Sequence, residues 1–303
     1  MSGAEEAAAR PYPSLAEHWR RRFGERVQRV SLDAGLSCPN RDGTLGTGGC
    51  TFCDPASFSP AAGDRRPVAE QLAEGIGRLR RRGIRKAAAY FQPHSNTHAP
   101  VEILRGLWDA AASFPEAVAL CVGTRPDCVP DPVLDLLGSC GGRFEVWLEL
   151  GLQSARDATL ARLNRAHTAA DFADAAGRAR ARGLLVCAHV ILGLPGEGPD
   201  DERATARFLA EAGVEGVKLH QLAVARGTAL EREWREGALP VLGEGEYADR
   251  ASAFLALLPG TTVVHRVVGD TTGDRLLAPR DDKGRVVAAI FERLRKGDGS
   301  TSS

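Results

Sequence analysis

Three cysteines stand at Cys38-x11-Cys50-x2-Cys53 in a chain of 303 residues. Thiolate sulfur is a soft donor that selects zinc or iron–sulfur clusters over hard cations. A structural zinc site closes with four protein ligands, and no fourth cysteine or histidine lies close by, the nearest downstream being His94. A four-iron cubane held by three thiolates instead keeps one iron open to a small molecule. Zinc completed by a distant histidine, or three unliganded thiols, are the competing readings. Glycines at 43, 46, 48 and 49 let the backbone wrap closely and turn amide N–H groups toward sulfur.

The elements that must position these thiols can be read around them. Residues 33–66 hold six glycines and three of the seven cysteines, too many breakers for regular structure but suited to a ligand loop. A helical lead-in and a strand at 26–32 precede it. A helix over 67–82 follows, opened by Pro67 and stopped at Gly83. Apolar runs at 86–92, 117–123, 143–150, 184–192 and 214–222 then alternate with helix-like segments. With 26–32 they make six strands, and nearly unbroken apolar runs such as 186–194 suit parallel strands buried on both faces. The alternation predicts an α/β fold with a parallel sheet. A seventh apolar run at 261–268 and a helix near 282–295 would extend or cap it.

Unusual residues cluster at the strand ends, where parallel α/β folds place their chemistry. Gln92 begins Gln-Pro-His-Ser-Asn, Arg125 lies in Thr-Arg-Pro-Asp, and Gln153 ends Gly-Leu-Gln. Lys218, His220 and Gln221 end the sixth strand. Alternation points Lys218 and His220 to one face. Glu149 is an acid inside an apolar strand, so it needs a partner if it points inward, and Arg125 is the candidate. Cys121, Cys128, Cys140 and Cys187 have no cluster spacing; Cys128 alone, just past a strand end, is placed to approach the site, with a buried thiol as its other reading.

Composition narrows the class. Hydrophobic residues make up 43% and charged ones 26%, enough for a large core, and 39 basic side chains balance 39 acidic ones. No global field marks a dedicated nucleic-acid binder. The basic runs at 20–26 and 78–86 read as solvated helix faces. No apolar run approaches a membrane span, no export signal opens the sequence, and an odd, uneven set of cysteines is not a disulfide framework, so a cytoplasmic location is expected.

The string CPNRDGTLGTGGCTFC resembles the cysteine loop of radical S-adenosylmethionine (SAM) proteins, specifically the YhcC-like family, which is related to the Elongator catalytic subunit. YFQPHSNTHAP, TRPDC, LELGLQS, LNRAHT, HVILGLPGE, VKLHQLAV and HRVVGD continue the likeness to about residue 294. The resemblance implies a partial (β/α)6 TIM-like barrel with a C-terminal strand and helix extension. Its divisions would be a lead-in at 1–23, a core at 24–260, an extension at 261–295 and a disordered tail at 296–303. It also implies a [4Fe-4S] cluster on Cys38, Cys50 and Cys53. Reductive cleavage of SAM there gives a 5′-deoxyadenosyl radical.

By the same resemblance Phe52 packs beside the adenine and Gln92 stands where relatives bind the methionyl amine, though YFQPHS departs from their string. Gln153 and Arg165 match a pair that holds the cofactor in oxygen-independent coproporphyrinogen oxidases, with Arg165 on the methionyl carboxylate. His189 falls where those relatives hold the ribose, and Glu149 is a further cofactor contact. A low-potential donor of flavodoxin or ferredoxin type is required, and kinship with Elongator suggests an RNA base as substrate. A cluster-based redox sensor and a zinc-stabilised binding protein are the alternative functions. Neither needs a methionyl-binding pair.

Overall fold

The computed structural model describes residues 10–269 and 273–298. In chain order the strands are β1 (Val27–Leu32), β2 (Lys86–Phe91), β3 (Ala117–Thr124), β4 (Glu145–Gln153), β5 (Leu185–Leu192), β6 (Gly216–Gln221), β7 (Val224–Ala225), β8 (Val263–Arg266) and β9 (Leu276–Ala278). Seven form one parallel sheet in the order β1-β2-β3-β4-β5-β6-β8, and β7 pairs antiparallel with β9. Helices connect the parallel strands, as such crossovers require. The apolar run at 261–268 therefore joins the barrel sheet itself.

The sheet curls into a half-barrel whose seam is bridged from the N-terminal side. Ser14 pairs with Val264 of β8, and the helix Leu15–Phe23 packs on both β1 and β8. A reciprocal capping box starts that helix: Ser14 Oγ accepts from the Glu17 amide, and the Ser14 backbone donates to the Glu17 carboxylate. Such a cap contributes about 1 kcal/mol.

Strand periodicity sorts side chains into two layers. Ala87, Ala89 and Phe91 of β2 pack with Leu72 and Leu104 of the helices Val68–Arg81 and Val101–Ala112. Ala88 and Tyr90 face the other way, toward Cys121, Trp147, Cys187 and Trp19. The helix Val68–Arg81 reaches β1 closely because residue 75 is glycine; a Cβ there would lie 2.2 Å from Val30 Cγ1.

Along β4 the inward positions are Glu145, Trp147, Glu149, Gly151 and Gln153. Glu145 lies at the amino end, where its carboxylate accepts from Trp19 Nε1 at 2.9 Å and Trp147 Nε1 at 2.8 Å. The Trp19 bond, with His18 Nε2 3.1 Å from the same carboxylate, fastens the N-terminal helix across that end of the barrel. The carboxyl ends of the strands remain accessible.

Two predicted boundaries shift. The loop at 33–66 contains a single helical turn, Pro55–Phe58. The last helix runs Lys283–Asp298, so Lys296 begins no tail, and 299–303 lie outside the described residues. Among the described residues no helix is long and apolar enough to cross a membrane.

Candidate functional site: a cavity at the carboxyl ends of the strands

A cavity of about 640 Å³ opens at the carboxyl ends of the strands, a size typical of sites for cofactors and small ligands. Cys38, Cys50 and Cys53 all line it, together with Phe52, Gln92, Glu149, Gln153, Arg165 and His189. Lys218 and His220 line it too, which puts their shared face on the inside of the barrel. The nine residues predicted for the site thus meet in one space, although they come from five segments of chain.

The cysteine loop is a chain of tight turns. Arg41 and Asp42 amides donate to the Cys38 carbonyl, the Gly49 amide donates to the Asn40 carbonyl, and Arg41 Nη2 donates to the Cys53 carbonyl at 2.6 Å. Burial, with the Cys50 sulfur alongside, pushes the Cys53 thiol up to about 11. A metal centre taking this thiol as thiolate must displace a proton. All seven cysteines are free thiols. Among the described residues no three Cys, His, Asp or Glu side chains close around a single-ion position. Three thiols lining one cavity are the soft donor set that zinc and iron–sulfur centres both select.

A second loop, between the helices Asp157–Arg162 and Ala169–Arg180, is bolted to the first. Thr51 N donates to the Leu163 carbonyl, Asn164 Nδ2 to the Gly49 carbonyl, and Asn40 Nδ2 to the Asn164 carbonyl. Arg165 is 6% exposed and each of its nitrogens has a partner: Nε donates to His167 Nε2, Nη2 to the Gly151 carbonyl at 2.7 Å, and Nη1 to Cys50 Sγ at 3.4 Å. Its neighbours Asn164 and Ala166 both adopt left-handed backbone, each with φ of 54°. Gln153 also has a positive φ of 74° and His94 one of 67°. Such conformations are costly for side chains other than glycine, and they gather at sites that need them. Glycine at 151 makes room for two of these side chains: a Cβ there would sit 2.7 Å from Gln153 Nε2 and 2.8 Å from Arg165 Nη2 and would displace them.

Other predicted residues have settled partners. Gln92 accepts from Ser31 Oγ and donates to the Phe58 carbonyl, linking β1 to the cysteine loop. Phe52 packs against the cluster that contains Leu163, Ile191 and Leu222. Gln221 donates to the Leu242 carbonyl. Cys128 is buried, and burial pushes its thiol up to about 12. Arg125 does not pair with Glu149, contrary to the sequence expectation. It grips Asp127 through Nε and Nη2, because that carboxylate is two residues away on the same turn. Its Nη1 is buried with no hydrogen-bond partner among the described residues, on the wall near the cysteines, which leaves a donor for an anionic group of a guest.

Glu149 is completely buried at the floor of the cavity. Its carboxylate accepts from Tyr90 OH at 2.8 Å, Lys218 Nζ at 2.8 Å, His189 Nε2 at 2.7 Å and His265 Nδ1 at 3.3 Å, and Arg29 Nη1 lies 3.5 Å away. Lys218 Nζ also donates to Tyr90 OH. Burial alone would raise this carboxyl, but the Lys218 ammonium and the two imidazole bonds hold it well below the carboxylate range. Burial lowers Lys218 to about 8 despite Glu149. Burial, aided by Lys218, lowers His189 to about 4, so the imidazole is neutral, carries its proton on Nε2 toward Glu149, and presents Nδ1 as an acceptor. Tyr90, Arg29, His265 and Asn40 went unrecognised in the sequence. The one available signal was a polar residue at an inward position of an otherwise apolar strand.

With the site assembled, similarity to known proteins becomes interpretable. The family described as Radical SAM superfamily matches residues 43–209, and the Radical SAM C-terminal domain matches 214–296. The chain belongs to the radical SAM superfamily, a class of enzymes that work with SAM and a [4Fe-4S] cluster. Within it the chain falls with Protein YhcC of Escherichia coli K12, to which it is 45% identical over 86% of this chain and 84% of that one. A tRNA uridine(34) acetyltransferase of Dehalococcoides mccartyi is 31% identical over 50% of this chain and 33% of its own. In fold, the structure of Elp3 from Methanocaldococcus infernus, with its N-terminus deleted, superposes with a TM-score of 0.66 at 18% identity, covering 90% of this chain and 63% of that one.

Proposed function

We propose that this chain holds a [4Fe-4S] cluster on Cys38, Cys50 and Cys53, binds SAM across the strand ends beside it, and uses the resulting 5′-deoxyadenosyl radical to take hydrogen from a substrate. The observation that carries this reading is the sharing of one cavity by the three cysteines, Gln153, Arg165 and His189. Cluster and SAM together supply reductive cleavage of a carbon–sulfur bond; the protein supplies placement and shielding.

Each side chain has a definable part. Neutral His189 offers Nδ1 to a ribose hydroxyl, fixed in that tautomer by Glu149. The exposed face of Phe52 offers an apolar surface to the adenine. Arg125 Nη1 is a buried donor for the methionyl carboxylate. Gln153, held over Gly151, adds an amide at the same wall. Gln92 acts by tethering the cysteine loop to β1.

The proposed substrate is an RNA base, supported by the likeness to the tRNA uridine(34) acetyltransferase over half of this chain. The charge pattern does not add to that: Arg78, Arg80, Arg85 and Lys86 of one basic run pair with Glu74, Glu116 and Glu25. We further propose a cytoplasmic setting, a flavodoxin or ferredoxin as electron donor, and a radical SAM core at 24–260 followed by an extension at 261–295.

The test is anaerobic. The protein is reconstituted with iron and sulfide, SAM and dithionite are added, and 5′-deoxyadenosine is measured with Cys53→Ala as control. Formation in the unaltered protein alone is expected. A loaded cluster that leaves SAM intact would favour the redox-sensor alternative.

A further inference from the structure

The structure assigns Arg165 a second role, resting on the proposed cluster: it is a positioning residue for electron transfer that stabilises the Cys50 thiolate and so raises the reduction potential of the cluster. Its Nη1 donates to Cys50 Sγ at 3.4 Å. Asn40 Nδ2 donates to the same sulfur at 3.7 Å. Arg165 is the buried cation in direct contact with that sulfur, and its other two nitrogens are anchored by Gly151 and His167.

The surrounding architecture serves this contact. Left-handed backbone on both sides of Arg165 turns its side chain back toward the cysteine loop. Three hydrogen bonds between the two loops then fix the distance, all within two residues of Cys50 or Arg165 or through Asn40, which also reaches the sulfur. A solvated arginine, or one kept only for a mobile ligand, has no need of such a clamp.

The physical consequence has a sign. Reduction adds one electron from a low-potential donor to the cluster, with no proton transferred, and makes its thiolate corners more negative. A guanidinium donating to one of those sulfurs stabilises the reduced state more than the oxidised one. Hydrogen bonds to sulfur, net charge and burial are the levers that set such potentials. Cys50 is then a charge-stabilised corner, the one reached by the buried Arg165. At Cys53 the cation is Arg41, which donates to the Cys53 carbonyl and also acts on its thiol.

The experiment uses reconstituted full-length protein without SAM. Dithionite titration against mediator dyes, followed by electron paramagnetic resonance, gives the midpoint potential of unaltered protein, Arg165→Gln and Arg165→Lys. Arg165→Gln should shift it negative by at least about 59 mV, equivalent to a tenfold change in the one-electron equilibrium. Arg165→Lys keeps the charge but loses the fork, so its shift should be smaller; it also serves should the glutamine variant fail to take up a cluster. Gln153→Ala should leave the potential where it was. SAM affinity, measured by equilibrium dialysis on the same samples, separates the roles. An unchanged potential in both arginine variants, with affinity lost, would make Arg165 a cofactor ligand only and overturn the inference while leaving the proposed function standing. Unaltered protein that takes up no cluster would overturn both.

Discussion

The floor and the rim of the cavity meet a charged guest with opposite strategies. At the floor, Glu149, Lys218, Tyr90, His189, His265 and Arg29 come from six strands, one inward position each, and converge on the Glu149 carboxylate, with Arg29 Nη1 and His265 Nε2 buried and left without a hydrogen bond among the described residues. At the rim, Arg125, Arg165, Gln153 and the cysteines come from loops and strand ends, Gln153 itself on left-handed backbone and Arg165 flanked by it on both sides, and Arg125 keeps a buried nitrogen without a partner among the described residues. A rigid sheet can hold an ion network centred on one carboxylate in low dielectric. Loops can afford the unusual conformations that leave donors directed at a ligand. Stability is therefore concentrated below and chemistry above.

The sharpest way to break this contrast is to remove the centre of the floor. Glu149→Ala leaves Lys218 and Arg29 buried without their carboxylate, and the expected loss is roughly 3–5 kcal/mol of folding stability. Urea unfolding measures it. Gln153→Ala at the rim should cost no more than about 1 kcal/mol on the same assay. Equal losses would mean that the division into floor and rim is wrong.

Acid should find the floor next. Burial holds His189 and His265 at about 4, whereas an exposed histidine titrates near 6.5. Between those values the unfolded chain binds protons that the folded chain does not. Stability therefore falls as pH falls through that window, by roughly 1.4 kcal/mol per pH unit for each histidine. His167 at the rim, lowered to about 4 by burial and Arg165, adds a third. Glu149, held low, contributes its own loss only further down, below about pH 4.5. Lys218 remains an ammonium throughout. Unfolding midpoints that are flat from pH 7 to 5 would contradict neutral, buried imidazoles.

The smallest effect concerns the rim's backbone. Ala166→Gly relieves a φ of 54° at the cost of a looser unfolded chain, so stability should rise by no more than about 1 kcal/mol. The informative comparison is with SAM affinity in the same variant. A more stable protein with weaker binding would show that the left-handed turn serves the site.

Much of this molecule is legible in one dimension. The Cys-x11-Cys-x2-Cys spacing, the glycine-rich loop and the strand–helix alternation are written within windows of a few residues, because hydrophobic period and backbone breakers act locally. They give six of the seven sheet strands outright, the seventh as a candidate extension, and the strand end at which Gln153 stands. Glu149 was recognisable as a buried acid needing a partner.

The partner itself was not recognisable. Arg125 looked suitable by proximity along the fold, yet Lys218 and Tyr90, 69 and 59 residues from Glu149, surround it. Arg165 reads as a ligand for a carboxylate, and its contact with the Cys50 sulfur spans 115 residues. Local patterning determines which strands form and which face each residue takes. Only the curl and register of the closed sheet decide which charges meet inside it, since that depends on distances between strands that no short window of sequence contains.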